Sequence, residues 1–316
     1  MKYLFFILML AVALWAQKIQ MPQAIFETSG GTTDLLVKNE NLYVATDAGC
    51  VDIFEMQTQK KLKSICVEKI LDFMGDAIDS KIYSIDIVAD IMLLLSQADG
   101  GFRRLHLYKE GKLQEIISKD AMLSIARAKF LDANKIIIAL LGSELLLYDI
   151  QAKKFVYETQ VSQSKFSHFV LDESKNRVVI ADESGALKIH DTKSGKLLQT
   201  LGGQNLDNVF QVDMKNEYII TAGQDRRVVV YNLRNSSPFY ITSPFLVYTA
   251  ALSPSGKLGA YSSDEHNNVT VFHTATQAKL GVFGNNKMTL SNILFVDEKH
   301  FFVGSDDKKV HFYFIP

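Results

Sequence analysis

Residues that could catalyse a reaction or hold a cofactor are few in this sequence and poorly grouped. The only two cysteines, Cys50 and Cys66, are well separated, and no Cys-x-x-Cys-His motif is present for covalent haem attachment. The seven histidines are scattered along the chain without the close pairing that zinc ligands show. No Gly-x-Ser-x-Gly motif occurs, and the Gly-Gly pairs lack the context of a phosphate-binding loop. These patterns predict no catalytic, cofactor-binding or metal-binding residues, and therefore a protein that is not an enzyme.

Three basic doublets are the best candidates for a binding surface. They are Arg103-Arg104, Arg226-Arg227 and Lys308-Lys309, and each lies at a short turn rich in Asp, Gly or Ser. If equivalent turns of a repeat emerge on one face, the doublets would attract an acidic protein partner and raise its association rate. Solvated turns also tolerate Lys and Arg, and neighbouring Asp residues would partly neutralise them, so this second interpretation stays open.

The elements that carry these residues form an internal repeat of seven units. In each unit one strand ends at a turn, the next alternates apolar and polar residues, and a further strand follows a loop. The aligned segments begin at Leu42, Met92, Ile136, Val178, Tyr218, Leu258 and Phe301. Period-two alternation indicates strands, and a repeat of about 40 to 50 residues with four strands is typical of propeller blades. The sequence therefore predicts an all-β, seven-bladed propeller.

The two ends of the repeat predict how the ring closes. The seventh unit lacks a fourth strand, because the chain reaches Pro316 just after the third. The segment from Lys18 to Thr28 precedes the first unit and has no other partner. We predict that it pairs in the seventh blade as the outer strand, which would remove an exposed sheet edge. Residues 17–316 would then be one propeller domain.

The segment from Pro238 to Phe245 is interpreted as a loop that covers the space between two blades or offers an apolar surface.

The first sixteen residues have the pattern of a secretory signal. Lys2 precedes an unbroken apolar run from Tyr3 to Ala16, which is short for a spanning helix of about 20 residues. Cleavage after Ala16 leaves a polar mature start, whereas cleavage after Ala13 better fits the small-residue rule, and an uncleaved anchor is the alternative. We predict a signal peptide at 1–16, a periplasmic protein, and no stable membrane insertion after cleavage.

The composition indicates which partners the chain disfavours and whether its cysteines can form a disulfide. The chain has 34 Lys and Arg against 35 Asp and Glu, so its net charge of −1 creates no overall field for nucleic acid. We expect a monomer that does not bind nucleic acid.

Export permits a disulfide, and Cys50 and Cys66 lie at the two ends of an apparent hairpin. A register shifted by one residue would instead place the two thiols on opposite faces, so both arrangements remain open.

The repeat resembles the WD40 superfamily over nearly all of the predicted mature chain. Tyr148-Asp149, His190-Asp191 and Tyr231-Asn232 lie where that family has Trp-Asp. No Trp occupies this position and the family's Gly-His pair is absent, so its His–Asp hydrogen-bond network is not carried over.

In its size, its predicted signal peptide and its lack of cofactor motifs, the chain also resembles the NapL accessory proteins of periplasmic nitrate reductase systems. That resemblance implies support of nitrate respiration or enzyme maturation, nitrate reductase subunits or maturation factors as partners, and no cofactor.

These observations together predict an exported, non-catalytic propeller that binds another protein. One alternative is a periplasmic scaffold in outer-membrane protein assembly. Another is a propeller enzyme that binds a small molecule or a quinone cofactor in its central channel. Such a site usually includes a stacked Trp, and the only Trp, Trp15, lies in the predicted signal.

Overall fold

The chain folds into a ring of seven β-sheets, which makes it a seven-bladed β-propeller as the repeat predicted. The computed structural model describes residues 18–235 and 237–316, so the predicted signal peptide lies outside the described residues. Six blades are built from four strands that pair antiparallel in chain order, and in the seventh blade an N-terminal strand takes the outer place. The first strands of neighbouring blades contact one another and line the central channel.

The strands of each blade are numbered along the chain. The innermost strands are β3 (Thr32–Lys38), β9 (Ile82–Val88), β13 (Ile125–Asp132), β17 (Phe166–Leu171), β21 (Val209–Lys215), β25 (Ala250–Leu252) and β29 (Leu290–Phe295). The second strands are β4 (Asn41–Thr46), β10 (Ile91–Gln97), β14 (Lys135–Leu140), β18 (Arg177–Asp182), β22 (Tyr218–Gly223), β26 (Leu258–Ser262) and β30 (His300–Ser305). The third strands are β5 (Cys50–Glu55), β11 (Arg103–Lys109), β15 (Glu144–Asp149), β19 (Leu187–Asp191), β23 (Arg227–Asn232), β27 (Val269–His273) and β31 (Lys309–Phe314). The outer strands are β6 (Lys61–Cys66), β12 (Lys112–Ile117), β16 (Lys154–Gln160), β20 (Leu197–Leu201), β24 (Phe239–Thr242) and β28 (Lys279–Phe283), with β2 (Ala24–Glu27) in the seventh blade.

The N-terminal segment closes the ring in two pieces. Strand β2 pairs antiparallel with β31, with Ala24 opposite Phe312, and completes the seventh blade as predicted. The start of the segment departs from the prediction, because β1 (Ile19–Gln20) pairs in parallel with β28 and adds a fifth strand to the sixth blade. Pro22 lies between the two pieces and has no N–H to continue a ladder, so the chain changes blades there.

The outer strand of the fifth blade corrects the interpretation of the segment from Pro238 to Phe245 as a loop. Phe239–Thr242 pairs with β23, and Phe239 lies opposite Val230. Its residues alternate between half-buried and exposed, as expected for an edge strand with one covered face. The prolines on either side have the composition of a loop, which concealed a strand of only four residues.

The hydrophobic core lies between neighbouring blades. Where the seventh blade meets the first, Phe26 of the closing strand packs edge-on against Phe54 and Phe302, with ring centroids 5.4 and 5.6 Å away. Phe26 is almost completely buried. Such aromatic pairs add about 0.5–1.5 kcal/mol beyond the burial of their area. The closing strand therefore stabilises the ring by packing as well as by pairing.

One face of the propeller carries both the turns between second and third strands and the loops that join successive blades. We call it the loop face. A short hairpin of β7 (Ile70–Leu71) and β8 (Ala77–Ile78) rises there between the first and second blades. Two 3₁₀ turns, Asp99–Gly101 and Lys119–Ala121, lie beside it. Among the described residues, no helix has the length and apolar character needed to cross a membrane.

Candidate functional site

The innermost strands share a β-bulge near their first residue. In six blades one residue of the inner strand is skipped in the pairing with the second strand. The skipped residues are Thr33, Tyr83, Ala126, Ser167, Phe210 and Ser291. A bulge bends a strand and re-aims the side chains next to it. Five of the six residues that follow a bulge line one cavity in the channel, and the sixth, Ser84, bonds the backbone of Ala128 in the next blade.

The residues that follow the bulges are all polar, and Thr249 takes the matching place in the sixth blade. We call this set the polar ring. Its members are Asp34, Ser84, Arg127, His168, Gln211, Thr249 and Asn292. Period-two alternation is broken at a bulge, which is why the strand pattern alone did not reveal the ring.

Asp34 is the most buried charge of the polar ring. Its Oδ2 accepts hydrogen bonds from the Lys129 ammonium at 2.8 Å and from the Ile85 amide at 3.0 Å, and Arg127 lies 3.6 Å from Oδ1. Burial alone would raise the pKa of Asp34, but the two cations and these hydrogen bonds hold it below its ordinary value. The cluster therefore links the inner strands of the first three blades through one ionised carboxylate.

Other polar side chains in the channel bind the blades to each other. Gln211 accepts a hydrogen bond from the Thr249 hydroxyl at 2.6 Å and donates to the carbonyl of Ser291 at 2.8 Å. Asp213 accepts from the amide of Leu252 at 2.9 Å. Because such bonds satisfy buried groups across blade boundaries, much of the ring has a structural role.

A cavity of about 130 Å³ lies in the channel at the level of the polar ring. Arg127, His168, Gln211 and Asn292 are among its lining residues. Burial and the neighbouring Arg127 and Lys129 hold the pKa of His168 well below its ordinary value, so this imidazole is neutral at pH 7. The volume is below the 300–1,000 Å³ typical of sites for drug-sized ligands.

The basic doublets share the loop face but belong to the second, fifth and seventh blades. Arg103 stacks on the ring of Tyr83 at 3.4 Å from its centroid, and Arg104 lies 3.9 Å from Glu115. Arg227 donates to the carbonyl of Gln204 at 2.7 Å and lies over the Tyr240 ring.

The other members of the doublets are more available to a partner. Arg226 and Lys308 are exposed, and Lys309 is half-buried. Three of the six predicted docking residues therefore already have local partners, and the doublets do not form a single cationic patch. Docking of an acidic partner stays a prediction that rests mainly on Arg226 and Lys308.

The aspartates of the turns accept hydrogen bonds from their own backbone. Asp182 and Asp264 each accept a hydrogen bond from the amide two residues further on, at 2.8 and 3.0 Å. The Asp residues in the Trp-Asp place act similarly, because Asp149 and Asp191 accept from amides three residues on. Asp side chains are favoured in turns for this reason.

The structure joins Cys50 and Cys66 by a disulfide. The two residues lie directly opposite each other on β5 and β6, and their Cα atoms are 4.0 Å apart. Val67, the next residue, donates its amide hydrogen to the carbonyl of Gly49 at 3.0 Å. The crosslink therefore lies at the point where the chain leaves the first blade and enters the loop-face hairpin.

The hairpin between the first two blades presents large apolar side chains to solvent. Phe73 is 97% exposed, Met74 72% and Leu71 58%. Across the Asp99–Gly101 turn, Met122 is 71% exposed. Asp99 ties these parts together, since it accepts from the Leu71 amide at 3.0 Å and from Lys119 at 2.8 Å. We call this surface, formed by Leu71, Phe73, Met74, Ile78 and Met122, the blade-two platform.

The platform is bordered by six carboxylates, of which two are paired with lysines. Lys69 is paired with Asp79 at 3.2 Å and Lys119 with Asp99 at 2.8 Å. Four further carboxylates near the platform form no ion pair with any described residue. They are Glu68, Asp72, Asp76 and Asp120. A groove of about 630 Å³ runs between the hairpin and the Asp99–Gly101 turn. Arg104 also reaches this border, where it donates to the carbonyl of Glu68 at 3.4 Å. Six carboxylates therefore face three cations, Lys69, Lys119 and Arg104, so the border is negative whereas the centre is apolar.

Composition and periodicity did not point to the platform. Its residues lie between two repeat units, and scattered apolar residues in a loop are ordinary in any sequence. The one available signal was the short apolar and acidic stretch LDFMGDAID after Ile70, which matches no part of the repeat.

The chain matches no known protein-family model. Within 18–235 and 237–316, no three His, Cys, Asp or Glu side chains are grouped so that they could hold a metal ion. The class of the protein is therefore given by its fold, a seven-bladed β-propeller, which is consistent with a role in protein interaction.

Proposed function

We propose that the protein is an exported, non-catalytic interaction propeller that docks onto a protein partner through its blade-two platform. The observation that carries this proposal is the exposure of Phe73 and Met74 on the loop-face hairpin, with Met122 exposed on the other side of the Asp99–Gly101 turn. Contiguous apolar side chains on a protein surface mark interaction sites more often than scattered ones do. Phe and Met are enriched at interface cores.

The charges around the platform define the chemistry of the partner. Glu68, Asp76 and Asp120 form no ion pair with the described residues, so the border favours a positively charged surface. We propose that the partner offers an apolar pocket bordered by Lys or Arg. The resemblance to NapL makes nitrate reductase subunits and their maturation factors the first partners to test.

The test replaces Phe73 by the photo-crosslinking residue p-benzoylphenylalanine in the native periplasm. Leu206, which is 67% exposed and also lies in a loop between blades, provides the matched control position. A covalent adduct with a nitrate reductase subunit or maturation factor at position 73 and not at 206 would support both the platform and the nitrate role. An adduct with an outer-membrane assembly protein would keep the platform and replace the nitrate role by the scaffold role.

Binding to the purified partner then measures the contribution of the platform. The double variant F73S/M74S should weaken binding by about 25-fold or more, as expected when an interface hot spot is lost. The control variant L206S should bind as the wild type does, and added salt should weaken wild-type binding. If R226E/K308E abolished binding while F73S/M74S did not, the platform proposal would be wrong and the basic doublets would take its place.

A further inference from the structure

The outer edges of the third and fourth blades expose apolar side chains where their outer strands begin, at the face opposite the loop face. Phe155 and Val156 of β16 are 40% and 51% exposed, and Leu197 and Leu198 of β20 are 56% and 55% exposed. Val156 and Leu198 occupy β-bulges, because each is skipped in the pairing with the third strand. A bulge leaves one residue outside the ladder, so two consecutive apolar residues are exposed at each site.

Four lysines border these apolar side chains. Lys153 and Lys154 lead into β16, and Lys193 and Lys196 lead into β20. All four are exposed, and none forms an ion pair with another residue in the described part of the chain. Their ammonium groups are therefore available to a ligand of opposite charge.

The carboxylates of the same two segments are fewer and are partly occupied. Asp149 and Asp191 accept hydrogen bonds from amides of their own turns, at 2.8 and 2.7 Å. Hydrogen bonds from Ser194, with a smaller contribution from Lys193, hold the pKa of Asp191 below its usual value. The third carboxylate, Glu158, is exposed on β16.

The turns between the first and second strands of these two blades do not change this balance. They lie nearer the channel and contain three carboxylates and three cations, namely Asp132, Asp172 and Glu173 with Lys135, Lys175 and Arg177. The outer edge therefore keeps a local excess of positive charge, although the whole chain has a net charge of −1.

Contacts between the two blades join their edges into one surface. The Tyr157 hydroxyl on β16 donates to the carbonyl of Thr192 at 2.8 Å. Gly195 lies so close to β16 that a Cβ atom there would be 2.8 Å from the Tyr157 ring. The turn that carries Lys193 thus packs on β16. We call the surface formed by residues 153–156, 193 and 196–198 the basic edge.

The composition of the basic edge indicates the kind of surface that it fits. All its cations are lysines, whose ammonium groups are point charges on flexible stems and suit diffuse negative charge, whereas arginine is the better match for single carboxylates. The lysine stems can lie along apolar surface while the charges reach phosphates. Exposed Phe and Leu beside lysines are typical of segments that lie at a membrane interface.

We propose that the basic edge adsorbs to the surface of an anionic phospholipid bilayer. The lysines contact lipid phosphates, and Phe155, Val156, Leu197 and Leu198 lie at the level of the headgroups. The blade-two platform belongs to other blades and to the opposite face, so adsorption leaves it accessible. Neither proposal depends on the other.

The experiment measures co-sedimentation of the purified protein with vesicles of phosphatidylglycerol and phosphatidylcholine in equal parts, and with vesicles of phosphatidylcholine alone. The wild type should bind the anionic vesicles more strongly, and added salt should release it. Each lysine near an anionic surface raises the partition coefficient about fivefold, so K154Q/K196Q should bind about 25-fold more weakly. The control R226Q/K308Q removes the same charge from the loop face and should bind as the wild type does.

A fluorescent reporter separates adsorption to lipid from binding of an acidic protein. The only tryptophan of the chain is Trp15, so L198W in a W15F background carries one indole, at the basic edge. Its emission should shift to the blue with anionic vesicles and stay unchanged with poly-glutamate. The indole of the control L206W/W15F lies on the loop face and should not shift with either.

Three results would overturn the proposal. They are equal binding by wild type and K154Q/K196Q, equal binding to anionic and neutral vesicles, and an unshifted indole at position 198. Binding to poly-glutamate as strong as to vesicles would assign the basic edge to an acidic protein instead. The replaced side chains are exposed, so the variants should unfold as the wild type does, and unfolding curves check this.

Discussion

The blade-two platform and the polar ring depart from the usual distribution of residues in opposite directions. On the platform, Phe73 and Met74 are exposed although they are apolar, whereas in the channel Asp34 and Arg127 are largely buried although they are charged. The buried charges compensate each other by pairing across blades, but the exposed apolar side chains have no compensation within the described residues. Departures of this kind are expected where a surface or cavity meets a ligand. The comparison predicts that substitutions in the ring lower stability and that substitutions on the platform do not.

The largest effect is expected from Asp34→Asn in the polar ring. Removal of the carboxylate leaves Lys129 and Arg127 buried without their counter-ion, which should lower the free energy of unfolding by about 3–5 kcal/mol. Denaturant unfolding measures this change. Asp90→Asn, which removes an exposed carboxylate paired with Lys109, is the control and should change stability by less than about 1 kcal/mol. Equal unfolding midpoints for the two variants would contradict a stabilising role of the ring.

The disulfide at the base of the hairpin should have the next largest effect. Its cysteines are separated by 16 residues, and closing a loop of this length restricts the unfolded chain enough to stabilise the fold by about 3 kcal/mol. The double variant C50A/C66A should lose this stability, and its unfolding should not respond to a reducing agent. Wild-type protein treated with the same agent should approach the variant. If the reducing agent leaves the wild-type midpoint unchanged, the crosslink contributes little.

His106, which is buried on the third strand of the second blade, predicts a loss of stability in acid. Burial, together with the neighbouring Arg104, lowers the pKa of His106 from 6.5 to about 4. The unfolded chain therefore binds a proton between these values that the folded protein does not, so stability is complete above pH 6.5 and falls as the pH approaches 4. At 1.36 kcal/mol per pH unit, the loss is about 3 kcal/mol.

The matched variant for this prediction is His106→Gln, which keeps a side chain able to bond Ser96, the partner of His106 at 3.2 Å. Unfolding free energies of both proteins at pH 7 and pH 4 isolate the contribution of His106 from that of the carboxylates. The wild type should lose about 3 kcal/mol more than the variant over this interval. Parallel pH profiles would show that His106 protonates in the folded protein without penalty.

The smallest effect on stability is expected on the platform. Phe73 is 97% exposed, so Phe73→Ser removes little burial and should change the free energy of unfolding by less than about 0.5 kcal/mol. The same denaturant series used for Asp34→Asn measures it. A loss of several kcal/mol would mean that Phe73 packs against the fold, and the contrast between platform and ring would then disappear.

The repeat allowed the architecture to be predicted, because each blade shows the same alternation and turn residues. Closure by the N-terminal segment was confirmed for Ala24–Glu27, but the parallel pairing of Ile19–Gln20 was missed, since two residues contain no periodic signal. Of the doublets only Arg226 and Lys308 lie in turns, and the other four residues begin the third strands of their blades. The stacking of Arg103 on Tyr83 joins residues from different strands and has no counterpart in a sequence pattern.

The sequence by itself determined that the chain is all-β, that it has seven units, and which residues lie in the turns, because strand alternation and turn chemistry are local properties. The tertiary structure decided what those units bring together. The bulges at Ala126 and Ser291 aim Arg127 and Asn292 into one cavity, and Asp99 ties the Phe73 hairpin to the next loop. These residues are far apart along the chain, and their proximity depends on the closure of the ring, which no local pattern encodes.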